Sequence, residues 1–168
     1  LNGVRYTKTA DGVTTTYFYD GNTLLGENRS DGKQLRYFYD ATGICGFSCK
    51  DGLLTTYYTY VKDVLGNIVM IKSDMGALLA RYTYDEWGNC IVENLEGTIG
   101  DINPIRYRGY YYDIESGLYY LMSRYYDPEI GQFISMDTPN YLKPEAIGGV
   151  DLYAYGLNNP VMFLDPTG

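Results

Sequence analysis

A Tyr-x-Tyr-Asp unit recurs along the chain, and tandem repetition of that length limits the available folds more than any single residue does. The unit stands at Tyr17-Phe18-Tyr19-Asp20, Tyr37-Phe38-Tyr39-Asp40, Tyr82-Thr83-Tyr84-Asp85 and Tyr110-Tyr111-Tyr112-Asp113. A variant places Tyr58-Thr59-Tyr60 ahead of a delayed Asp63, and a looser copy reads Arg124-Tyr125-Tyr126-Asp127. The terminal tyrosines Tyr19, Tyr39, Tyr60, Tyr84 and Tyr112 are 20, 21, 24 and 28 positions apart. Such spacing marks an array in which each unit stacks on the next.

From Leu1 to about Glu93, strand-like runs alternate with turn signals, and helical periodicity is missing. Two turn chemistries alternate. Tight turns fall at Asp11-Gly12, Asp31-Gly32, Asp51-Gly52 and Asp74-Met75-Gly76, where Gly accepts the positive φ of short hairpin loops. The other set is Asp40-x-x-Gly43, Asp63-x-x-Gly66 and Asp85-x-x-Gly88, with Asp20-Gly21-Asn22 a degenerate member. In these the Asp carboxylate bonds the backbone two residues on, so the aspartates are read as turn formers and not as metal ligands. The expected fold class is therefore all-β, an antiparallel β-meander of hairpins. Strand alternation puts Thr15, Tyr17 and Tyr19 on one face and Thr16, Phe18 and Asp20 on the other. The same holds for Leu78, Ala80, Tyr82 and Tyr84 against Leu79, Arg81, Thr83 and Asp85. Registered pairs predict tyrosine ladders across neighbouring strands, worth about 0.2–1 kcal/mol per contact, on a single curved sheet.

Composition narrows function by exclusion. Net charge is −8 and the 13 basic residues are scattered, so neither nucleic acid nor an anionic membrane is an expected partner. Histidine is absent, which removes every mechanism and zinc site built on imidazole and leaves carboxylates or thiols for any catalysis. The three cysteines, Cys45, Cys49 and Cys90, define neither a disulfide framework nor a Cys-x-x-Cys site, and they are read as inert thiols. No cofactor or metal is predicted. No run reaches membrane-spanning length and no signal peptide is present. The chain starts at Leu1 and stops at Gly168 without terminal features, and is expected to be a piece of something longer.

The rhythm breaks between Asn94 and Asn103, which divides the chain into repeats over 1–93 and a second unit over 94–168 whose strands continue the repeat sheet to about residue 136. In this second unit Phe133 to Asp137 reads as a short strand, Thr138 to Gly149 as an irregular loop with one helical turn at Pro144 to Ile147, and the end as two Pro turns. One ordered series resembles the tyrosine-aspartate (YD) repeats and repeat-associated core domain of the rearrangement-hotspot (RHS) family. It runs Pro104-Ile105-Arg106-Tyr107-Arg108-Gly109-Tyr110-Tyr111-Tyr112-Asp113, Ser116-Gly117-Leu118-Tyr119-Tyr120-Leu121, Arg124-Tyr125-Tyr126-Asp127-Pro128, Gly131-Gln132-Phe133 and Asp137. It closes with Leu152-Tyr153-Ala154-Tyr155, Asn158-Asn159-Pro160 and Asp165-Pro166-Thr167-Gly168.

The resemblance implies a spiral β-sheet shell around a hollow chamber, closed by a mostly irregular C-terminal plug, in a bacterial secreted or cell-surface polymorphic toxin. The implied partners are upstream YD repeats and a C-terminal toxin segment of the same polypeptide, with edge-to-edge self-association through open strands. In several family members the core domain is an aspartic autoprotease that cuts after Asp-Pro-x-Gly-Leu. That implies a catalytic pair of Asp137 and Asp151, in which one carboxylate activates water while the other donates a proton. It also implies a cleavage motif at Asp165, Pro166 and Gly168, with the scissile bond just beyond. Two positions depart from that pattern: several self-cleaving members have Arg where Met136 stands, and Asn is common at the position of Asp151. Arg106, Arg108 and Arg124 are candidate supporting residues, either orienting the catalytic loop or bonding strand to plug and stacking on Tyr. The alternative function is a surface-adhesion or carbohydrate-binding module using exposed Tyr faces.

Overall fold

The structure is a computed structural model that describes residues 4–135, 153–156 and 159–160. Residues 7–94 form one antiparallel meander whose strands are neighbours in chain order. They are β1 Thr7–Ala10, β2 Val13–Asp20, β3 Thr23–Arg29, β4 Gln34–Asp40, β5 Gly43–Asp51, β6 Leu54–Lys62, β7 Ile68–Ser73, β8 Leu78–Tyr84 and β9 Cys90–Asn94. The sheet is open, and the all-β class and meander read from the sequence are what the chain adopts.

The turns follow their predicted chemistry. Asp11 and Gly12 both take positive φ, 50° and 76°, between paired Ala10 and Val13. At the other end, Asp63 accepts hydrogen bonds from the backbone of Leu65 and Asn67 and from the Asn67 amide, and Asp85 accepts the equivalent three from Trp87 and Asn89. The Asn four residues after each Asp is thus part of the turn, clamping it from the far side.

Alternation along the strands is interrupted by bulges at repeated positions. Phe18 and Tyr19 pair with Gly26 and Leu24, leaving Leu25 extra, and Phe38 and Tyr39 pair with Gly46 and Ile44, leaving Cys45 extra. Val69 is the extra residue opposite Val61 and Lys62. The bulge shifts the phase of β5, so Cys45 does not share the core-facing register of Cys49. A Cβ on Gly26 would lie 2.5 Å from the Leu35 carbonyl oxygen, and one on Gly46 2.4 Å from that of Tyr58. Glycine is required there by the neighbouring strand and not by φ.

One face of this sheet is buried. Tyr17, Leu35, Tyr37, Phe47, Ile71 and Tyr82 form its core, joined by Ile99, Ile105 and Tyr111 from the chain that follows. That later chain does not continue the first sheet, which corrects the expected continuity to about residue 136. A short helix, α1 Ile99–Ile102, and a 3₁₀ turn at Tyr107–Gly109 redirect it, with Arg108 at φ 49°. A separate four-stranded sheet follows, with β10 Tyr111–Asp113, β11 Leu118–Leu121, β12 Arg124–Asp127 and β13 Gln132–Phe133. The expected strand from Phe133 to Asp137 is thus confined, among the described residues, to Gln132–Phe133. Ala154 bridges to Gln132, adding the returning chain to this sheet's edge.

The expected tyrosine ladder lies in the second sheet. In the first, Tyr17, Tyr37, Tyr60 and Tyr82 are on alternate strands and pair with Glu27, Phe47, Ile71 and Val92. In the second, Tyr112 pairs with Tyr119, Tyr119 with Tyr126, and Tyr126 with Phe133, with successive ring centroids 4.9, 6.3 and 6.0 Å apart.

Candidate functional site at the seam between the sheets

Polar chemistry in the described residues concentrates where the second sheet meets the first. At one end the chain ahead of β1 brings in Arg5, whose guanidinium bonds both oxygens of Asp113, as close as 2.9 Å for one of them, and the hydroxyls of Tyr17 and Tyr125. Its carbon lies 4.4 Å from the Tyr120 ring centre and 4.8 Å from that of Tyr17, a cation enclosed by aromatic faces. Burial works against the Arg5 charge, but the bonds and charge of Asp113 prevail and hold it above its ordinary pKa. Lys8 bonds the same carboxylate at 2.8 Å and Glu115 at 2.6 Å. Asp113 is 2% exposed, so among the tyrosine-aspartate units this Asp departs from the turn-forming role. Its carboxylate is half of a buried ion pair between residues 108 positions apart.

Next to this pair lies a second buried carboxyl, Glu27. Its Oε2 accepts a hydrogen bond of 2.8 Å from the Tyr111 hydroxyl and a longer one, 3.3 Å, from Tyr37. The Tyr17 hydroxyl donates to that of Tyr111 at 3.4 Å, so donors run in one direction from Arg5 through Tyr17 and Tyr111 to Glu27. Burial raises the Glu27 pKa, opposed by the two tyrosines and by Arg29 and Lys8. Burial likewise holds Tyr37, Tyr60, Tyr111 and Tyr119 well above the ordinary tyrosine value, so these hydroxyls remain protonated donors. A cavity of about 450 Å³ opens beside Glu27, with Lys8, Arg29, Asp101 and Glu115 on its walls.

In the middle of the seam, Asn103 is fully buried and uses its whole amide. Its oxygen accepts from the Tyr60 hydroxyl and the Ile105 N–H, and its nitrogen donates to the Tyr82 hydroxyl and the Ile105 carbonyl. At the far end, three tyrosines reach three consecutive carbonyls of the β8–β9 turn. Tyr107 donates to Glu86, Tyr126 to Trp87 and Tyr119 to Gly88, at 2.7–2.9 Å.

Each of the three candidate arginines lies over a ring. Arg106, 5% exposed, sits 4.6 Å from Tyr112 and 5.7 Å from Tyr82, and donates to the Asn103 and Gly100 carbonyls. Arg108 lies 5.6 Å from Tyr107 and donates to the Pro160 carbonyl. Arg124 is 3.6 Å from the Phe133 ring centre. Arg106 and Arg108 do not share a strand face with Tyr110 and Tyr112, because the 3₁₀ turn intervenes. Asp137, Asp151, Asp165, Pro166 and Gly168 lie outside the described residues, as does the expected helical turn at Pro144 to Ile147. Among the described residues no three His, Cys, Asp or Glu side chains are grouped to hold a metal, and no helix is long and apolar enough to cross a membrane.

Sequence reasoning missed Arg5, Glu27 and Asn103. The signal for Glu27 was present in the repeat: counted back four residues from the Asp-Gly turns, it occupies the place of Phe47, a polar residue in an apolar position. Tyr82 is 4% exposed with its hydroxyl on the Gly100 carbonyl, so its ring offers no free face for stacking on a sugar.

A repeated tyrosine meander covered on one face by a smaller sheet defines a tyrosine-repeat β-sheet protein. The Teneurin YD-shell family matches residues 4–161, and the chain belongs to that family, with the RHS-type repeats identified above. It is 40% identical over 166 residues to the tRNA(Glu)-specific nuclease WapA of Bacillus subtilis subsp. natto, and equally to the tRNA3(Ser)-specific nuclease WapA of Bacillus spizizenii. Both alignments cover 99% of this chain and 7% of the relative. The Toxin protein Tse5 of Pseudomonas aeruginosa is 39% identical over 107 residues, 63% of this chain and 7% of Tse5. Among solved structures, the complex TcdB2-TccC3-Cdc42 superposes with a TM-score of 0.72 at 25% identity, over 96% of this chain and 8% of the matched one. The chain therefore spans under a tenth of each of these proteins.

Proposed function

We propose that this chain is the closing stretch of a shell that contains an effector segment attached on its C-terminal side, with the second unit acting as the plug. The carrying observation is the second sheet seated on the buried face of the first, sealed by Arg5, Asn103 and the three tyrosine-to-carbonyl bonds. The relatives support the reading: two WapA proteins named for different tRNA targets share this same stretch, 7% of their length, which fits a common container better than a source of specificity. Secretion or cell-surface placement, and pairing of the open edge of β1 with upstream repeats, belong to the same reading. In a full-length protein carrying this segment, limited proteolysis should leave the C-terminal effector intact. Equal digestion with and without residues 1–168 would refute containment.

Self-cleavage is the finer part of the proposal, with Asp137 and Asp151 as the catalytic pair and the cut just beyond Gly168. The support is the family motif at Asp165, Pro166 and Gly168. Expressed with its natural continuation, the protein should appear on a gel as two fragments, and Asp137→Asn should appear as one. An uncut wild type, or a cut variant, sinks the assignment.

A further inference from the structure

We infer that Glu27 makes the seam proton-sensitive, tightest while its carboxyl is neutral and looser once it ionises. The inference stands on the seam itself and not on containment. Glu27 pairs across β3 with Tyr17 and Leu35, in the core-facing register, and is 2% exposed. The bond it accepts from Tyr111 joins the first sheet to the second, so its protonation state acts directly on their contact.

Groups around it come from every neighbouring element. Tyr37 on β4 and Tyr111 on β10 bond it directly, and Tyr17 on β2 bonds Tyr111. The nearby cations are committed to other anions: Lys8 to Asp113 and Glu115, Arg29 to Asp31 at 3.1 Å, and Arg5 to Asp113. Asp101 and Glu115, across the cavity, add negative charge. Among the described residues no cation forms an ion pair with Glu27, so its ionised form is buried with hydroxyl donors alone. The cavity of about 450 Å³ beside it gives water and protons a route to the carboxyl.

Burial raises the folded-state pKa of Glu27 above its ordinary 4.5. Its contribution is therefore complete below that ordinary value and is lost as pH rises through the folded one. The chain's single tryptophan, Trp87, lies in the β8–β9 turn with its ring against Gly131 in the β12–β13 turn, a native reporter of the docking of the two sheets. Thermal unfolding of the full chain, followed by Trp87 fluorescence and circular dichroism from pH 4 to 8, tests the inference. The wild-type midpoint should fall by about 2–4 °C relative to Glu27→Gln as pH climbs, with the two curves meeting near pH 4. Tyr111→Phe, which removes a donor to the carboxylate, should fall further than wild type. A constant offset between wild type and Glu27→Gln overturns the inference. If Glu27→Gln does not fold, a Tyr111→Phe curve parallel to wild type overturns it as well.

Discussion

The two sheets use the same residue in opposite ways. In the nine-stranded sheet, tyrosines occupy every second strand, separated by Glu27, Phe47, Ile71 and Val92, and spacing is set by turns and bulges. In the four-stranded sheet, tyrosines meet directly across β10, β11 and β12, while the hydroxyls of Tyr119 and Tyr126 leave the sheet to bond the β8–β9 turn. The first sheet is specified locally, repeat by repeat. Strands of two to four residues cannot sustain the second alone, so it takes its stability from docking.

That contrast predicts a graded set of losses. Gly46→Val should be the most damaging change, costing about 3–5 kcal/mol or abolishing folding, because its Cβ would sit 2.4 Å from the Tyr58 oxygen. Gly32→Val, with open space around it, should cost clearly less. Urea denaturation measures both, and equal losses would break the distinction between a glycine required by its neighbour and one required by φ. Tyr119→Phe leaves the buried Gly88 carbonyl without its donor and should cost about 1–3 kcal/mol. Its effect should be selective, with proteolysis between residues 114 and 131 appearing before any cut in β2 to β8. Asn67→Ala, which removes one clamp of the Asp63 turn and the acceptor of the Arg108 N–H, should cost about 0.5–1.5 kcal/mol and speed amide exchange at Arg108 as well as in that turn.

Acid should weaken the turns by a route opposite in sign to that of Glu27. Burial works to raise the Asp85 pKa, but bonds from Asn89, Trp87 and Gly88 prevail and hold it below the ordinary value. Hydrogen bonds from Thr42 do the same for Asp40. Both contributions are present above the unfolded pKa of about 3.8 and vanish as pH falls through the folded one. Asp85→Asn should therefore flatten the loss of stability below pH 4. At the bottom of the scale, Glu93→Gln breaks an exposed pair with Arg81 at 3.6 Å and should stay within about 0.5 kcal/mol of wild type.

These differences track what could be read in advance. The Asp-Gly and Asp-x-x-Gly turns and the shared face of Thr15, Tyr17 and Tyr19 were legible, because each depends on residues a few positions apart. The bulges were not, since Leu25 and Cys45 fit a strand pattern; the clue was Gly26 and Gly46 two residues beyond Leu24 and Ile44. A second, separate sheet was hidden because Tyr-rich strands read alike in either sheet, and the redirection rests on Arg108 adopting a positive φ that no residue type announces. Of the seam, the arginines were named from their motif, but Arg5 meeting Asp113 and Glu27 meeting Tyr111 are encounters across more than 80 positions, set by packing and not by pattern.

The bond between Arg5 and Asp113 also fixes an order of events during synthesis. Hairpins of the meander contain only nearby partners and can close as each emerges from the ribosome. Arg5 waits until 108 further residues have been translated before its counter-ion exists. Until then its guanidinium has no carboxylate partner, so the segment ahead of β1 is locked down only after the meander has been made.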